Sequence, residues 1–260
     1  MGLGIHQRNV KSVLILDEDI MVKKIHYCWF GGAEKSTLIK KCINSWSKHF
    51  PDFEIVEWNE SNYNVNKNLY SSQAYEAKKY AYVSDVARFD ILYEQGGLYF
   101  DTDVEVIKPF GELLMDEAFS ALETENFIAP GLVMWCKNPG NPIIKEMVDY
   151  YNTNPYLDEN GNKISGTVCS IFTDIMRKHG FKDGNDLKRL DGFVIYPIDY
   201  FCPYDDATGK LTKTKNTYAI HWYAKSWMSK KTVLRVKITR VIHRIFGKNS
   251  LKFLKRRKKK

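Results

Sequence analysis

Two acidic residues one position apart, Asp101 and Asp103, are the pair of side chains in this sequence that first suggests chemistry. They follow an apolar run from Leu98 to Phe100, and the near alternation beyond them predicts a strand. Side chains at positions i and i+2 of a strand lie on one face, so the two carboxylates would stand side by side. Paired oxygen donors suit Mg2+ or Mn2+ carrying a phosphate. The alternative is a polar loop after a core strand.

A second charged pair, Asp85 and Arg88, lies on the helix predicted just before that strand. The two residues are at i and i+3, hence on one helix face, and Gly96 and Gly97 end the helix and return the chain toward the strand. A carboxylate can accept hydrogen bonds from sugar hydroxyls, and a guanidinium can bind phosphate oxygens in a fixed geometry. The alternative is an intrahelical ion pair that contributes about 0.2–0.5 kcal/mol.

The elements that must position these residues alternate between strands and helices, which predicts an α/β fold. The predicted strands are 24–30, 53–58, 98–103 (followed by an alternating run at 104–107), 118–122, 128–135 (interrupted by Pro130 and Gly131) and 194–197. The predicted helices are 36–49, a segment beginning near Ser72, the helix before Gly96, 111–118, 142–151 and 168–179. An aromatic turn is expected at 200–204. Ligands in such folds bind beyond the carboxyl ends of the strands, where the D-x-D pair would lie.

The run SDVARFDILYEQGGLYFDTDVEV, residues 84–106, resembles the DXD-containing sugar-transferase family of capsule and polysaccharide glycosyltransferases. Yeast-type initiating mannosyltransferases and the large clostridial glucosylating toxins are similar in the same core. The resemblance implies a GT-A-type nucleotide-diphospho-sugar transferase fold, a Rossmann-like mixed sheet flanked by helices. It also implies that Asp85 and Arg88 hold the donor sugar, that Tyr99 and Asp101 contact the donor, and that Asp101 and Asp103 bind a divalent metal.

Two further segments are similar to the same family. The first, IHYCWFGG at 25–32, is similar to an opening segment whose tryptophan stacks on the nucleotide base. This resemblance assigns base binding to Trp29 and a neighbouring donor contact to His26, whereas the residue types alone favour a core tryptophan.

The second segment, YAIHWYAKSW at 218–227, is similar to the family's closing motif, a histidine followed by Ser-Trp. By resemblance, His221 completes the metal or diphosphate site, and Ser226 and Trp227 clamp the leaving phosphate. Lys225 would add a phosphate contact. From the residues alone, a core histidine whose hydrogen bonds are satisfied is the favoured interpretation of His221.

Charge is divided unevenly along the chain of 260 residues, whose formal net charge is +8. Residues 230–260 hold 14 Lys and Arg and no Asp or Glu, leaving 25 basic against 31 acidic residues elsewhere. A nucleic-acid-binding domain would spread basic residues over its folded face, so no nucleic-acid partner is expected. The 5 scattered cysteines form no C-x-x-C pair, which favours reduced thiols.

The basic segment carries an apolar pattern of its own. Leu234, Ile238, Val241 and Ile245 recur at helical spacing with Lys and Arg between them, as in helices that lie on an anionic membrane surface. A solvated tail, or a helix packed on the domain, are the alternatives. No apolar run approaches the roughly 18–20 residues that span a bilayer. We therefore expect an extension at 1–20, a GT-A domain at 21–229 and a basic amphipathic tail at 230–260.

Together these observations predict a retaining, Mn2+- or Mg2+-dependent glycosyltransferase that uses a nucleotide-sugar donor, with UDP-sugars favoured. The expected acceptor is a saccharide or lipid-linked saccharide in capsule or surface polysaccharide synthesis. The expected location is cytoplasmic, peripheral on the inner face of the cell membrane. Two other functions stay open: a nucleotide-sugar hydrolase using the same carboxylates, and a non-catalytic protein that binds nucleotide sugars or membranes.

Overall fold

The computed structural model of the chain describes residues 21–225, 230–247 and 250. The strands are β1 (Lys24–Cys28), β2 (Glu54–Trp58), β3 (Gly97–Tyr99), β4 (Val104–Val106), β5 (Ala118–Thr124), β6 (Phe127–Ile128), β7 (Met134–Cys136), β8 (Lys188–Leu190), β9 (Phe193–Tyr196), β10 (Tyr204–Asp205), β11 (Lys210–Leu211) and β12 (Ala219–His221). The helices are α1 (Thr37–His49), α2 (Leu69–Glu76), α3 (Tyr80–Gln95), α4 (Pro142–Thr153), α5 (Val168–Lys178), α6 (Ile198–Phe201) and α7 (Lys230–Phe246), with a 3-10 helix at Gly111–Met115.

The main sheet is mixed, with strand order β2-β1-β3-β7-β5-β9-β8 and β6 paired to β5. Strand β1 lies between β2 and β3 and runs parallel to both. The carboxyl ends of these three strands therefore meet at one edge, the place where open α/β sheets bind ligands. The predicted fold class, an α/β fold with a mixed sheet flanked by helices, is confirmed.

Two apolar layers cover the two faces of this sheet. One layer contains the buried faces of α2, α3, α4 and α5, and the other contains α1, α6 and the 3-10 helix. In α3 the buried side chains include Val83, Val86 and Phe89, which recur at helical spacing, and Arg88 is buried among them. An arginine on a buried helix face needs a compensating partner. The described residues include no helix that is both long and apolar enough to cross a membrane.

The turn between α3 and β3 depends on two glycines. Gly96 and Gly97 have φ values of 65° and 92°, which side chains other than glycine adopt only with strain. A Cβ at Gly97 would also lie 2.8 Å from the carbonyl oxygen of Lys24. The turn brings the last residues of α3 beside β1 and sets β3 parallel to it.

The expectation that Asp101 and Asp103 lie on one face of a strand is wrong, because residues 100–103 lie between β3 and β4. The chain pairs with β1 and β7 up to Tyr99, turns at the D-x-D pair, and then pairs with β12 from Val104 onward in a separate two-stranded sheet. The amide of Val104 donates to the carbonyl of Asp101 at 3.1 Å, which closes the turn. A chain that leaves one sheet for another must bend, so the two carboxylates are brought together by a turn and not by strand alternation.

Smaller departures have local causes. The expected aromatic turn at 200–204 is instead led by the short helix α6, which begins after Pro197, a residue whose fixed φ suits a helix start. The interruption expected at Pro130 and Gly131 is confirmed, since β6 and β7 lie on either side of it. The short strands β8, β10 and β11 were not anticipated. All 5 cysteines are free thiols.

Candidate functional site

Four residues of α3, β3 and the following turn form one ionic cluster. Arg88 Nη2 lies 2.7 Å from Asp85 Oδ1 and 3.3 Å from Asp101 Oδ1. The Tyr99 hydroxyl donates to Asp101 Oδ1 at 3.2 Å, and the Arg88 guanidinium lies 5.0 Å from the centre of the Tyr99 ring. The intrahelical pair of Asp85 and Arg88 therefore exists, but it is buried and extends to the D-x-D pair.

Burial sets the protonation of this cluster. It raises the pKa of Asp85 to about 6, against the lowering effect of Arg88. Burial also raises the pKa of Asp101, again opposed by Arg88. Two carboxylates share one guanidinium, so a proton or a bound cation would relieve their mutual repulsion.

The backbone of Gly131 holds Asp101 from the other side. The Asp101 amide donates to the Gly131 carbonyl at 2.9 Å. A Cβ on Gly131 would lie 2.0 Å from Asp101 Oδ2 and 2.9 Å from Arg88 Nη1, so only glycine fits there. At the interruption that the sequence predicted here, the backbone thus lies close to the Asp101 carboxylate.

Asp103 belongs to a different set of contacts. His221 Nε2 lies 3.1 Å from Asp103 Oδ1, and the amide of Ala224 donates to Asp103 Oδ2 at 2.7 Å. The register of β4 with β12 places His221 opposite Val104, next to Asp103. The same pairing continues where the Trp222 amide donates to the Asp103 carbonyl at 3.0 Å.

This second pair is ionic in character. Burial alone would raise the pKa of Asp103, but the His221 ring and the Ala224 amide together hold that pKa below its usual value. Burial would lower the pKa of His221, yet the Asp103 carboxylate raises it well above the usual value. The contact between His221 and Asp103 therefore favours the protonated imidazole, whereas binding a metal would need the neutral one.

The predicted metal ligands Asp101, Asp103 and His221 lie in one region, yet the described residues contain no group of three or more His, Cys, Asp or Glu side chains placed to hold a metal ion. The carboxylates are engaged instead by Arg88 and by His221. The donor types fit a divalent cation, since carboxylate oxygens with one imidazole suit Mn2+, and the Asp101 side chain is 34% exposed. The metal role of these three residues stays a prediction.

A cleft of about 520 Å³ adjoins this region. Trp29 and Ala224 are among the residues that line it, and Ala224 is the residue whose amide binds Asp103. The Trp29 indole donates to the Ala33 carbonyl at 2.7 Å, which fixes the orientation of the ring. A half-buried indole at the end of β1 can offer a face to a planar base.

Lys225 also lines the cleft, but its ammonium is paired with Asp206 at 2.6 Å. Its φ of 53°, like the φ of 50° at Tyr223, lies in the left-handed region. Two such residues so close together cost free energy, and strain of this kind is concentrated at functional segments.

His26 occupies a different environment from the one predicted. The ring is fully buried, with Nε2 at 3.0 Å from the Gly96 carbonyl and Nδ1 accepting from the Trp58 indole at 3.2 Å. Burial lowers its pKa to about 4. Both ring nitrogens are engaged by groups of the sheet and the α3–β3 turn, and the donor contact of His26 stays a prediction. Ser226 and Trp227 lie outside the described residues.

Three features of the site were not predicted from the sequence: the Ala224 amide, the Gly131 contact with Asp101, and Asp206, which binds Lys225. The first two are backbone features, for which the side-chain types carry no signal. Asp206 follows a two-residue strand in an otherwise polar stretch and had no spacing relation to Lys225.

Two of the solved structures that are similar to this chain are glycosyltransferases. The PaToxG glycosyltransferase matches with a TM-score of 0.46 and 19% identity, covering 61% of this chain and 69% of its own. The galactosyltransferase LgtC, solved with donor and acceptor sugar analogues, matches with a TM-score of 0.41 and 10% identity, covering 83% of this chain and 93% of its own.

Among curated proteins, an uncharacterized glycosyltransferase of Acanthamoeba polyphaga mimivirus is 27% identical over 195 residues, 69% of this chain and 76% of that protein. Subversion of eukaryotic traffic protein A of Legionella pneumophila is 25% identical over 162 residues. The match covers 49% of this chain and only 24% of that larger protein.

A family model described as "Glycosyltransferase sugar-binding region containing DXD motif" matches residues 36–120. That interval contains Asp85, Arg88, Tyr99, Asp101 and Asp103. Residues 36–120 are therefore similar to the DXD-containing sugar-binding region of glycosyltransferases, in line with the resemblance seen in residues 84–106.

Proposed function

We propose that this protein is a retaining, divalent-metal-dependent glycosyltransferase that moves a sugar from a nucleotide-sugar donor, with UDP-sugars favoured, to a saccharide or lipid-linked acceptor. A role in capsule or surface polysaccharide synthesis is part of the same proposal. One observation carries it: the Asp85–Arg88–Asp101 cluster lies at the carboxyl edge of the parallel strands, inside the matched sugar-binding region.

Each residue has a task that follows from its position. Arg88 and Asp85 orient the donor sugar, since their buried ion pair holds both groups in fixed geometry. Trp29 stacks on the base at the wall of the cleft. Lys225, now held by Asp206, would exchange that partner for a donor phosphate.

A divalent ion, when bound, would neutralise the diphosphate, and Asp101, Asp103 and His221 are the residues that would hold it. In the transfer, the bond between the anomeric carbon and the diphosphate oxygen breaks as the acceptor oxygen bonds to the same face of that carbon. The hydroxyl proton passes to the departing diphosphate. Ser226 and Trp227 complete the proposal on the strength of the family resemblance.

The test is a thermal-shift and turnover screen of nucleotide sugars with Mn2+, Mg2+ or EDTA. We expect one donor with Mn2+ to raise Tm by about 5 °C at about 100 times its Kd, and EDTA to abolish the shift. Asp101→Asn should lower turnover about 100-fold or more.

Asp116→Asn is the matched control, because Asp116 also binds an arginine and a tyrosine, Arg189 at 3.0 Å and Tyr196 at 2.6 Å, outside the D-x-D region. It should leave turnover unchanged. Turnover to free sugar without any acceptor dependence would favour the hydrolase. Donor binding without turnover in the wild-type protein would favour the non-catalytic function.

A further inference from the structure

Helix α7 presents an apolar stripe to solvent. The stripe consists of side chains at i, i+4, i+7 and i+11, which a helical period of 3.6 residues places on one face. Their exposed fractions are Leu234 59%, Ile238 54%, Val241 58% and Ile245 66%, with the neighbouring Phe246 at 71%. Such a continuous exposed row of large aliphatic side chains marks an interaction surface.

The opposite face of α7 is held to the protein body. Arg240 Nε donates to the Asp206 carbonyl at 2.9 Å, and its guanidinium also pairs with the Asp206 carboxylate. The same guanidinium lies 5.4 Å from the centre of the Tyr204 ring. Asp206 is also the partner of Lys225. The helix is therefore packed on the domain by one face, and this contact turns the apolar stripe outward.

Charge identifies what the stripe would meet. Arg235, Lys237 and Arg244 are exposed and flank the stripe, and residues 230–260 contain 14 Lys and Arg with no acidic residue. Apolar side chains bordered by cations match a surface that is apolar below a layer of negative charge. A second copy packed through the same face would bring arginines against arginines, which electrostatic complementarity opposes.

We propose that the face of α7 formed by Leu234, Ile238, Val241 and Ile245 docks on the surface of an anionic lipid bilayer, with Arg235, Lys237 and Arg244 among the headgroups. Near such a surface each basic residue strengthens binding by about fivefold. The helix lies in the interface and does not cross it.

The docked orientation has a bearing on the cleft. Leu234 of the stripe lines the same cleft as Trp29, together with Val233 and Lys237 beside it, so the first turns of α7 form a wall of the cleft. Docking would set the cleft beside the headgroup layer. A water-soluble donor and a lipid-linked acceptor could then reach it from opposite sides.

The experiment is sedimentation of the full-length protein with vesicles of phosphatidylcholine alone or with 30 mol % phosphatidylglycerol (about one anionic lipid in three, enough for a strong surface potential). We expect binding to the anionic vesicles only, with a loss of about tenfold or more in affinity on raising NaCl from about 0.1 to 0.5 M. The double variant Ile238→Asp/Val241→Asp should lose about tenfold or more. Arg235→Glu/Arg244→Glu should lose a comparable factor.

Met115→Asp is the matched control, because Met115 is 72% exposed and lies on the 3-10 helix, away from α7. It should bind anionic vesicles as the wild type does, and all variants should keep the wild-type Tm. Equal binding by wild type and Ile238→Asp/Val241→Asp, or no vesicle binding by the wild type, would overturn the proposal. A dimer in gel filtration that only the α7 variants dissociate, with no vesicle binding, would make a second copy the occupant instead.

Discussion

The two aspartates of the D-x-D pair are close neighbours in sequence but belong to regions that balance charge in different ways. Around Asp101, one buried arginine serves two carboxylates, and burial raises the pKa of both carboxyls. Around Asp103, one histidine serves one carboxylate, and the pKa of that carboxyl is lowered. Arginine keeps its proton at any pH a protein meets, whereas histidine can release it. The first region therefore keeps its cation at any such pH, whereas the second loses its cation when the histidine is deprotonated.

Removing the permanent charge should have the largest effect. Arg88→Met leaves the largely buried Asp85 and the partly exposed Asp101 without their cation, which should reduce the free energy of unfolding at pH 7 by about 3 kcal/mol. Urea denaturation followed by circular dichroism measures the change.

The control is Arg177→Met, because Arg177 also pairs with two aspartates, Asp174 at 2.8 Å and Asp183 at 3.0 Å, but is 39% exposed. Exposed pairs of this kind contribute about 0–1 kcal/mol. Similar losses in the two variants would show that burial does not distinguish the α3 arginine.

An intermediate effect is expected where the charge can be released. Asp103→Asn should reduce the free energy of unfolding by about 1.5–3 kcal/mol at pH 6, since His221 then gives up its proton instead of remaining as an unpaired cation. Because the folded-state pKa of His221 is raised, the contribution of the pair is full below the unfolded pKa and is lost as pH rises through the folded value. Urea titrations at pH 6 and pH 9 should show the smaller difference at pH 9.

Glu146→Gln offers a matched comparison, because Glu146 pairs with His179 at 2.5 Å on the surface. The side chain of Glu146 is 39% exposed and that of His179 is 35% exposed. It should change the free energy of unfolding by less than about 0.5 kcal/mol. A cost for Asp103→Asn that stays constant between pH 6 and pH 9 would mean that His221 is not the titrating partner.

The smallest effect should be a change in the slope of the free energy of unfolding against pH. Because the pKa of Asp85 is raised to about 6, the folded state binds its proton more tightly than the unfolded state, and stability should fall as pH rises from about 4 to 6. The free energy of unfolding of the wild type relative to Asp85→Asn should fall by about 1–3 kcal/mol between pH 4 and pH 7. Relative to Asp103→Asn the same acid titration should give the opposite slope, since the lowered pKa of Asp103 contributes stability that is lost as pH falls. Equal slopes would erase the distinction between the two regions.

The region around Asp101 was largely predictable from the sequence, because its parts are local. Asp85 and Arg88 share a helix face by their spacing, and two glycines return the chain to the strand within a few residues. The resemblance of residues 84–106 added the expectation of sugar binding. Short-range geometry was therefore sufficient to predict the cluster, but not the contact of Asp101 with Gly131.

The region around Asp103 could not be predicted in the same way. Its partners come from β12 and Ala224, which is 121 positions away from Asp103, and no local pattern specifies which distant strand pairs with β4. The same limitation explains why the placement of Asp101 and Asp103 on one strand face was wrong, since the sheet change at the D-x-D pair is set by that distant pairing. The burial of His26 was not predicted because it depends on Trp58 and Gly96, which neighbour it only in space.

The pairing of β4 with β12 also determines which contacts of the site can form early and which form late during synthesis of the chain. The α3–β3 cluster can form once residue 101 has left the ribosome, whereas the hydrogen-bond donors to Asp103 are available only when the chain has reached His221 and Ala224. Contacts at such long sequence separation form late, since loop closure must come first. A nascent or truncated chain that lacks β12 would therefore hold the Asp85–Arg88–Asp101 cluster without the contact between Asp103 and His221. Under the proposed function, such an incomplete chain would not transfer sugar.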